Sequence, residues 1–193
     1  MTIVEPYAVA ARIGAALEKL GAPYFLGGSL ASSLHGDPRS TNDIDLVTAL
    51  GLEQARGLGV ALGPDFEVDE EDLLAAVREK RSTQLFYLPV FMKVDLYLCG
   101  SSPFDRASMA RRIAFDLLSG VRVFVSSPED TVARKLSWYR LGGEVSDRQW
   151  RDVLGMLRVG GEKLDRGYLE QAAAELGVGP LLIEAWAEAF SGD

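Results

Sequence analysis

Cysteine and histidine are nearly absent from the chain: Cys99 and His35 are the sole examples of each in 193 residues. A single cysteine excludes an internal disulfide and fits a reducing compartment, so a cytoplasmic location is expected. One histidine and one distant cysteine cannot build a zinc cluster. His35 therefore reads as a helix-end residue that holds the loop after it. Long apolar runs are missing too. Nothing approaches the ~20 residues of a bilayer span, and no membrane association is expected. Met1-Thr2-Ile3-Val4-Glu5 has no basic n-region, so no signal peptide is expected. Positive charge is scarce, with 20 Lys+Arg against 28 Asp+Glu and a net charge of −8. That balance argues against a broad surface that coats nucleic acid and leaves room only for a local basic groove. The Gly-x-x-x-x-Gly-Lys-Ser/Thr, Gly-x-Ser-x-Gly and His-Glu-x-x-His patterns are all missing, which removes P-loop, serine-elbow and zincin chemistry. No internal repeat, low-complexity segment or flexible linker is found.

What remains is ordinary globular material, 48% hydrophobic and 25% charged, enough for one domain or a domain with a helical appendage. Val9, Ile13, Ala16, Leu17 and Leu20 recur at helical spacing up to Gly21. A strand at 23–27, a short helix at about 29–35 and a loop through Gly36-Asp37-Pro38-Arg39-Ser40-Thr41 follow. Residues 52–62 read as a helix that ends before Pro64, Phe66-Glu67-Val68 as a short strand, and Asp69 to Glu79 as a helix with an acidic start. Strands are expected at 83–88 and 90–98. In the second, Met92, Val94, Leu96 and Leu98 face one way, and Lys93, Asp95 and Tyr97 the other. A short helix at 104–110 precedes a hairpin of Ile113–Leu117 and Val121–Val125, turned at Ser119-Gly120. From Ser127 onward the pattern is helical. Ser127 caps one helix with the stripe Val132, Leu136, Tyr139, ended at Gly142-Gly143. Ser146 to Gln149 fits a capping box before Trp150, Val153, Leu154 and Leu157. Two more helices are expected at about 165–176 and 179–190. The predicted organisation is an α/β core over 1–127 and a helical subdomain over 128–193.

The chemistry concentrates in residues 27–47. Gly27-Gly28-Ser29 follows the apolar Tyr24-Phe25-Leu26, and Asp43-Ile44-Asp45-Leu46 comes later. Residues two apart on a strand share a face, so Asp43 and Asp45 project together while Ile44 and Leu46 enter the core. Two adjacent carboxylates repel unless a cation sits between them. Magnesium suits them, being hard, oxygen-seeking and able to bridge to phosphates. A Gly-Gly-Ser turn at a helix start offers N–H groups and a hydroxyl to phosphate. A phosphate holder beside a metal holder points to nucleotide chemistry. The bland readings are an acidic pair at a strand entrance, a glycine required by the turn, and a serine that caps the short helix.

This stretch resembles the nucleotidyltransferase superfamily typified by DNA polymerase β: Gly28-Ser29, a spacer, Asp43-x-Asp45 and a later strand carboxylate, Asp95. The wording Gly27-Gly28-Ser29-Leu30-Ala31, His35-Gly36, Arg39-Ser40-Thr41 and Asp43-Ile44-Asp45-Leu46 is most similar to the AbiEii-like branch, which includes toxins of toxin–antitoxin pairs. The resemblance covers roughly residues 20 to 100. It implies a mixed, twisted β-sheet flanked by helices with a C-terminal helical bundle. It also implies two Mg²⁺ ions, replaceable by Mn²⁺, on Asp43, Asp45 and Asp95. One ion would hold the triphosphate and the other would help activate an acceptor hydroxyl. Gly28 and Ser29 would cradle phosphate. The reaction implied moves a nucleoside monophosphate from an NTP to an acceptor that is a tRNA, a protein or a small molecule, with an antitoxin as a further partner.

Other residues are weighed beside these. Asp95 read alone is an exposed edge-strand aspartate. Arg39 is a solvated loop arginine, a loop anchor or a phosphate ligand. In AbiEii-like proteins a lysine from the helical part and a later aspartate help complete the site. Lys135, which lies beside its helix's apolar stripe, fits the first by position. Asp147 and Asp152 compete for the second, yet Asp147–Arg151 and Arg148–Asp152 also read as plain i, i+4 pairs. Against the enzyme stands a silent nucleotide- or partner-binding module that keeps the fold; the full carboxylate set favours the enzyme.

Overall fold

The structure is a computed structural model that describes residues 6–41, 43–117 and 120–191. Met1–Glu5 and Ser119 of the expected hairpin turn lie outside the described residues. The chain divides into two compact units, Met1–Leu30 with Thr41–Val125, and Ala31–Ser40 with Ser126–Asp193.

The first unit holds one seven-stranded mixed sheet. Its strands are β1 (Tyr24–Leu26), β2 (Ile44–Thr48), β3 (Phe66–Val68), β4 (Ser82–Tyr87), β5 (Met92–Leu98), β6 (Ile113–Asp116) and β7 (Arg122–Val125), in the order β3-β4-β5-β2-β1-β7-β6. The two central neighbours β2 and β5 run parallel, while β4 and β1 flank them antiparallel. Their alternation follows the expected period. Ile44, Leu46, Val94 and Leu96 are fully buried, and the residues between them face outward. The helices of this unit are α1 (Pro6–Lys19), α3 (Leu52–Leu62), α4 (Glu70–Glu79) and α5 (Pro103–Arg111). Asp69 and Ser102 cap α4 and α5 by accepting from Asp72 and Asp105 N–H, which satisfies donors a helix start leaves open. α1 lays Val9, Ile13 and Leu17 into the core. The division between the units falls inside α2 (Gly28–His35).

The second unit is helical: α6 (Pro128–Leu141), α7 (Asp147–Gly160), α8 (Arg166–Glu175) and α9 (Gly179–Ala189). Ser127 and Ser146 cap α6 and α7. Polar ties join the helices. Tyr168 Oη donates to Asp130 Oδ1 at 2.6 Å, and Trp150 Nε1 to Glu188 Oε2 at 2.9 Å. The segment 31–40 belongs to this unit by close backbone approach. A Cβ placed on Gly36 would lie 2.9 Å from the Met156 nitrogen and 3.1 Å from the Gly155 carbonyl carbon. His35 Nε2 donates to the Ser126 carbonyl at 2.7 Å, so the histidine does hold its loop. No described helix is long and apolar enough to cross a membrane.

Candidate active site

The outward face of β5 and β2 brings two of the three expected carboxylates together. Asp45 and Asp95 are register partners on the parallel pair, so their side chains stand side by side. Asp43 lies just before β2, exposed. β5 is an interior strand, not an edge, and the Asp95 side chain is only 17% exposed. The edge-strand reading of Asp95 therefore gives way: a carboxylate kept mid-sheet needs partners. Asp95 Oδ1 accepts from Gln84 Nε2 at 3.2 Å, and Oδ2 pairs with Lys93 Nζ at 2.7 Å. The bond to Asp95 chiefly, aided by the charges of Asp95, Asp43 and Asp45, holds the Lys93 ammonium above the ordinary lysine range against a burial penalty second only to that bond. Tyr97, two residues beyond Asp95, donates its hydroxyl to Asp45. Burial, the Asp45 and Asp95 charges and that bond push its pKa up to about 12, so the phenol stays protonated.

The Gly-Gly-Ser turn is seated against this face. Gly27 N–H donates to the Asp45 carbonyl at 2.9 Å. Gly28 has φ +54, and a side chain there would overlap the Asp45 carboxylate. Glycine is thus required twice over, by the left-handed backbone and by the carboxylate packed on it. α2 starts at Gly28. Ser29 accordingly lies inside the first turn and is not the cap that sequence alone suggested.

Arg39 and Lys135 meet elsewhere, within the second unit, on Asp152. Arg39 grips both oxygens, Nε to Oδ1 and Nη2 to Oδ2, each at 2.9 Å. Lys135 Nζ lies 2.8 Å from Oδ2 and 3.0 Å from Gln149 Oε1, and Ser32 Oγ donates to Oδ2 at 3.3 Å. Burial pushes the Asp152 carboxyl up, but the bonds from Arg39 and Lys135 outweigh it and hold it below the ordinary range. The plain Arg148–Asp152 pairing gives way, because Asp152 turns to residues far away in sequence. Lys135, with its side chain 3% exposed, is buried. The Arg151 guanidinium, for its part, meets the Asp147 backbone carbonyl at 3.3 Å.

The family model of the nucleotidyl transferase AbiEii toxin, type IV toxin–antitoxin system, matches residues 15–178. The chain belongs to the AbiEii family of nucleotidyltransferases. That places it among enzymes that move a nucleoside monophosphate, in a family described as toxins of type IV toxin–antitoxin systems. Solved structures share the AbiEii chain's fold. The solution structure of the antibiotic-resistance factor ANT(2'')-Ia is 14% identical with a TM-score of 0.53, over 94% of this chain and 97% of that one. A crystal structure of an antigenic nucleotidyltransferase-like protein from Paracoccidioides brasiliensis is 21% identical with a TM-score of 0.51, over 95% of each chain. No curated protein matches the sequence.

Among the described residues, Asp43, Asp45, Asp95 and Tyr97 offer oxygen atoms, the donor type a hard divalent ion takes. Among the described residues no three carboxylate, histidine or cysteine side chains already close into a metal cage. Gln84, Lys93 and Tyr97 are not singled out by the sequence as site residues, and Asp152 is weighed there only as a competitor of Asp147. The alternation of β5 carried a usable signal for Lys93 and Tyr97, because both share the outward face with Asp95.

Proposed function

We propose that this AbiEii nucleotidyltransferase uses Asp43 and Asp45 to hold Mg²⁺, with Mn²⁺ as a substitute, and Asp95 to serve the acceptor side. The observation that carries the reading is the in-register Asp45–Asp95 pair beside the Gly28-Ser29 turn. When bound, two such ions supply Lewis-acid stabilisation of the attacking and leaving oxygens. The chain's own residues do the rest. The N–H groups of the Gly28-Ser29 turn and the Ser29 hydroxyl cradle phosphate oxygens at the start of α2. Asp95 orients the acceptor hydroxyl and takes its proton as the acceptor oxygen bonds to the α-phosphorus, while the bond to pyrophosphate breaks. Tyr97 keeps the Asp45 carboxylate turned to the cluster through its hydroxyl. Arg39 and Lys135, both engaged with Asp152, are the cations assigned to draw the triphosphate.

In this reading the enzyme works in the cytoplasm, where Cys99 stays a thiol. Its acceptor is a hydroxyl or phosphate of tRNA, protein or a small molecule, and its activity is toxic until an antitoxin relieves it. Incubating the protein with Mg²⁺ and each α-labelled NTP in cell extract tests this. The expected result is a labelled product whose sensitivity to nuclease or protease identifies the acceptor class. Growth arrest on expression, lost in Asp45→Asn, would support toxicity. A silent nucleotide-binding module would leave no label with any NTP.

A further inference from the structure

The carboxylate cluster carries its own cation. Lys93 stands two residues before Asp95 on β5, and its Nζ lies 2.7 Å from Asp95 Oδ2. The other oxygen, Oδ1, already accepts from Gln84. Each Asp95 oxygen therefore has a partner before any ion arrives, and a divalent ion that takes Oδ2 brings positive charge against the Lys93 ammonium already there. Lysine can leave. Its side chain is 41% exposed, and its flexible stem lets the ammonium move into water. Exchange of Lys93 for a divalent ion keeps the carboxylates neutralised throughout. Resting on the nucleotidyltransferase reading of this face, we propose that Lys93 is the resident counter-ion of the cluster. It neutralises Asp95 beside Asp43 and Asp45 while the metal is away, and it competes with the metal for Asp95 Oδ2. Lys93 is thus a positioning residue that holds Asp95 ready.

Two consequences of opposite sign follow from one substitution. Lys93→Gln removes the ammonium, so the metal-free protein loses stability to repulsion among the carboxylates. The same change frees Oδ2, so the divalent ion binds more tightly. A lysine that merely decorates the strand gives no change in metal affinity. The experiment is a Mn²⁺ titration without nucleotide, read by the loss of the free-ion paramagnetic signal, paired with thermal melts of the metal-free proteins. The expected result for Lys93→Gln is a lower melting temperature and a Mn²⁺ Kd lower by roughly two- to fivefold, the range a half-exposed ion pair supplies. Lys93→Arg keeps the charge and stays near wild type in both. Lys19→Gln, at the exposed end of α1, makes the same change in net charge and leaves the Kd unmoved. Wild-type Mn²⁺ affinity in Lys93→Gln, or an equal gain in Lys19→Gln, overturns the counter-ion role. Failure of the underlying site looks different: the wild type binds no Mn²⁺, or Asp45→Asn binds it as well as the wild type does.

Discussion

At the scale of single residues, the candidate site rests on positions that tolerate little change. Gly28→Ala puts a β-carbon into the Asp45 carboxylate at φ +54. The expected cost is about 1–3 kcal/mol from the strained backbone alone, read in urea melts. The displaced Asp45 should also blunt stabilisation by NTP–Mg²⁺. Lys135→Ala keeps a good helix former in place but strips a buried ammonium from Asp152 and Gln149. The variant should lose about 1–3 kcal/mol, with Arg39 still neutralising Asp152, and should bind nucleotide more weakly. Equal NTP affinity in mutant and wild type would reduce Lys135 to a structural role. The residues that sequence reading passed over share a physical cause. Asp152 looked like half of an i, i+4 pair because local spacing is all that a helix pattern shows. Its actual partners, Arg39 and Lys135, come from 113 and 17 residues away.

At the scale of elements, much was legible because local rules agreed with the fold. The alternation of β2 and β5 gave the inward and outward faces, and serine caps marked the starts of α6 and α7. The mid-sheet position of β5 was not legible, because strand order depends on pairings between segments that no period encodes. The segment after α2 was likewise opaque. Its grouping with the helical unit comes from contacts distant in sequence, among them Gly36 meeting the backbone of α7 and Arg39 on Asp152. Gly36→Ala has little room to relax there, since two of the three nearest atoms are main chain and the third is Met156 Cγ, and should cost about 1–3 kcal/mol as an overpacked contact. A neutral result in a urea melt would show that α7 can shift. His35, at the end of α2, adds a pH signature. Burial holds its pKa below the ordinary 6.5, opposed by the Ser126 carbonyl and the Glu129 charge. The unfolded chain therefore binds the proton more readily. The contribution to stability is full above pH 6.5 and is lost as pH falls toward the depressed value. Melts between pH 8 and 5 should show this loss in the wild type and a flatter profile in His35→Gln.

At the scale of the whole molecule, a chain of net charge −8 sets Asp45 beside Asp95 on one face of a sheet, with Asp43 just before β2. The AbiEii match over residues 15–178 gives the reaction class, and the carboxylates are proposed to carry its chemistry. If they are metal ligands, their charge is a liability without metal and a necessity with it. Asparagine keeps the shape, removes the charge and binds metal poorly. A purely structural role predicts the reverse, because lost hydrogen bonds of buried groups cost about 1–3 kcal/mol each. The decisive measurement is a set of metal-free urea melts of Asp43→Asn, Asp45→Asn and Asp95→Asn, paired with NTP–Mg²⁺ titrations of the same proteins. The expected result is three folded variants as stable as the wild type or more so. Nucleotide stabilisation should be abolished in the first two and partly kept in Asp95→Asn, which should chiefly lose transfer. Three variants that unfold more easily yet respond to NTP–Mg²⁺ like the wild type would contradict the catalytic assignment.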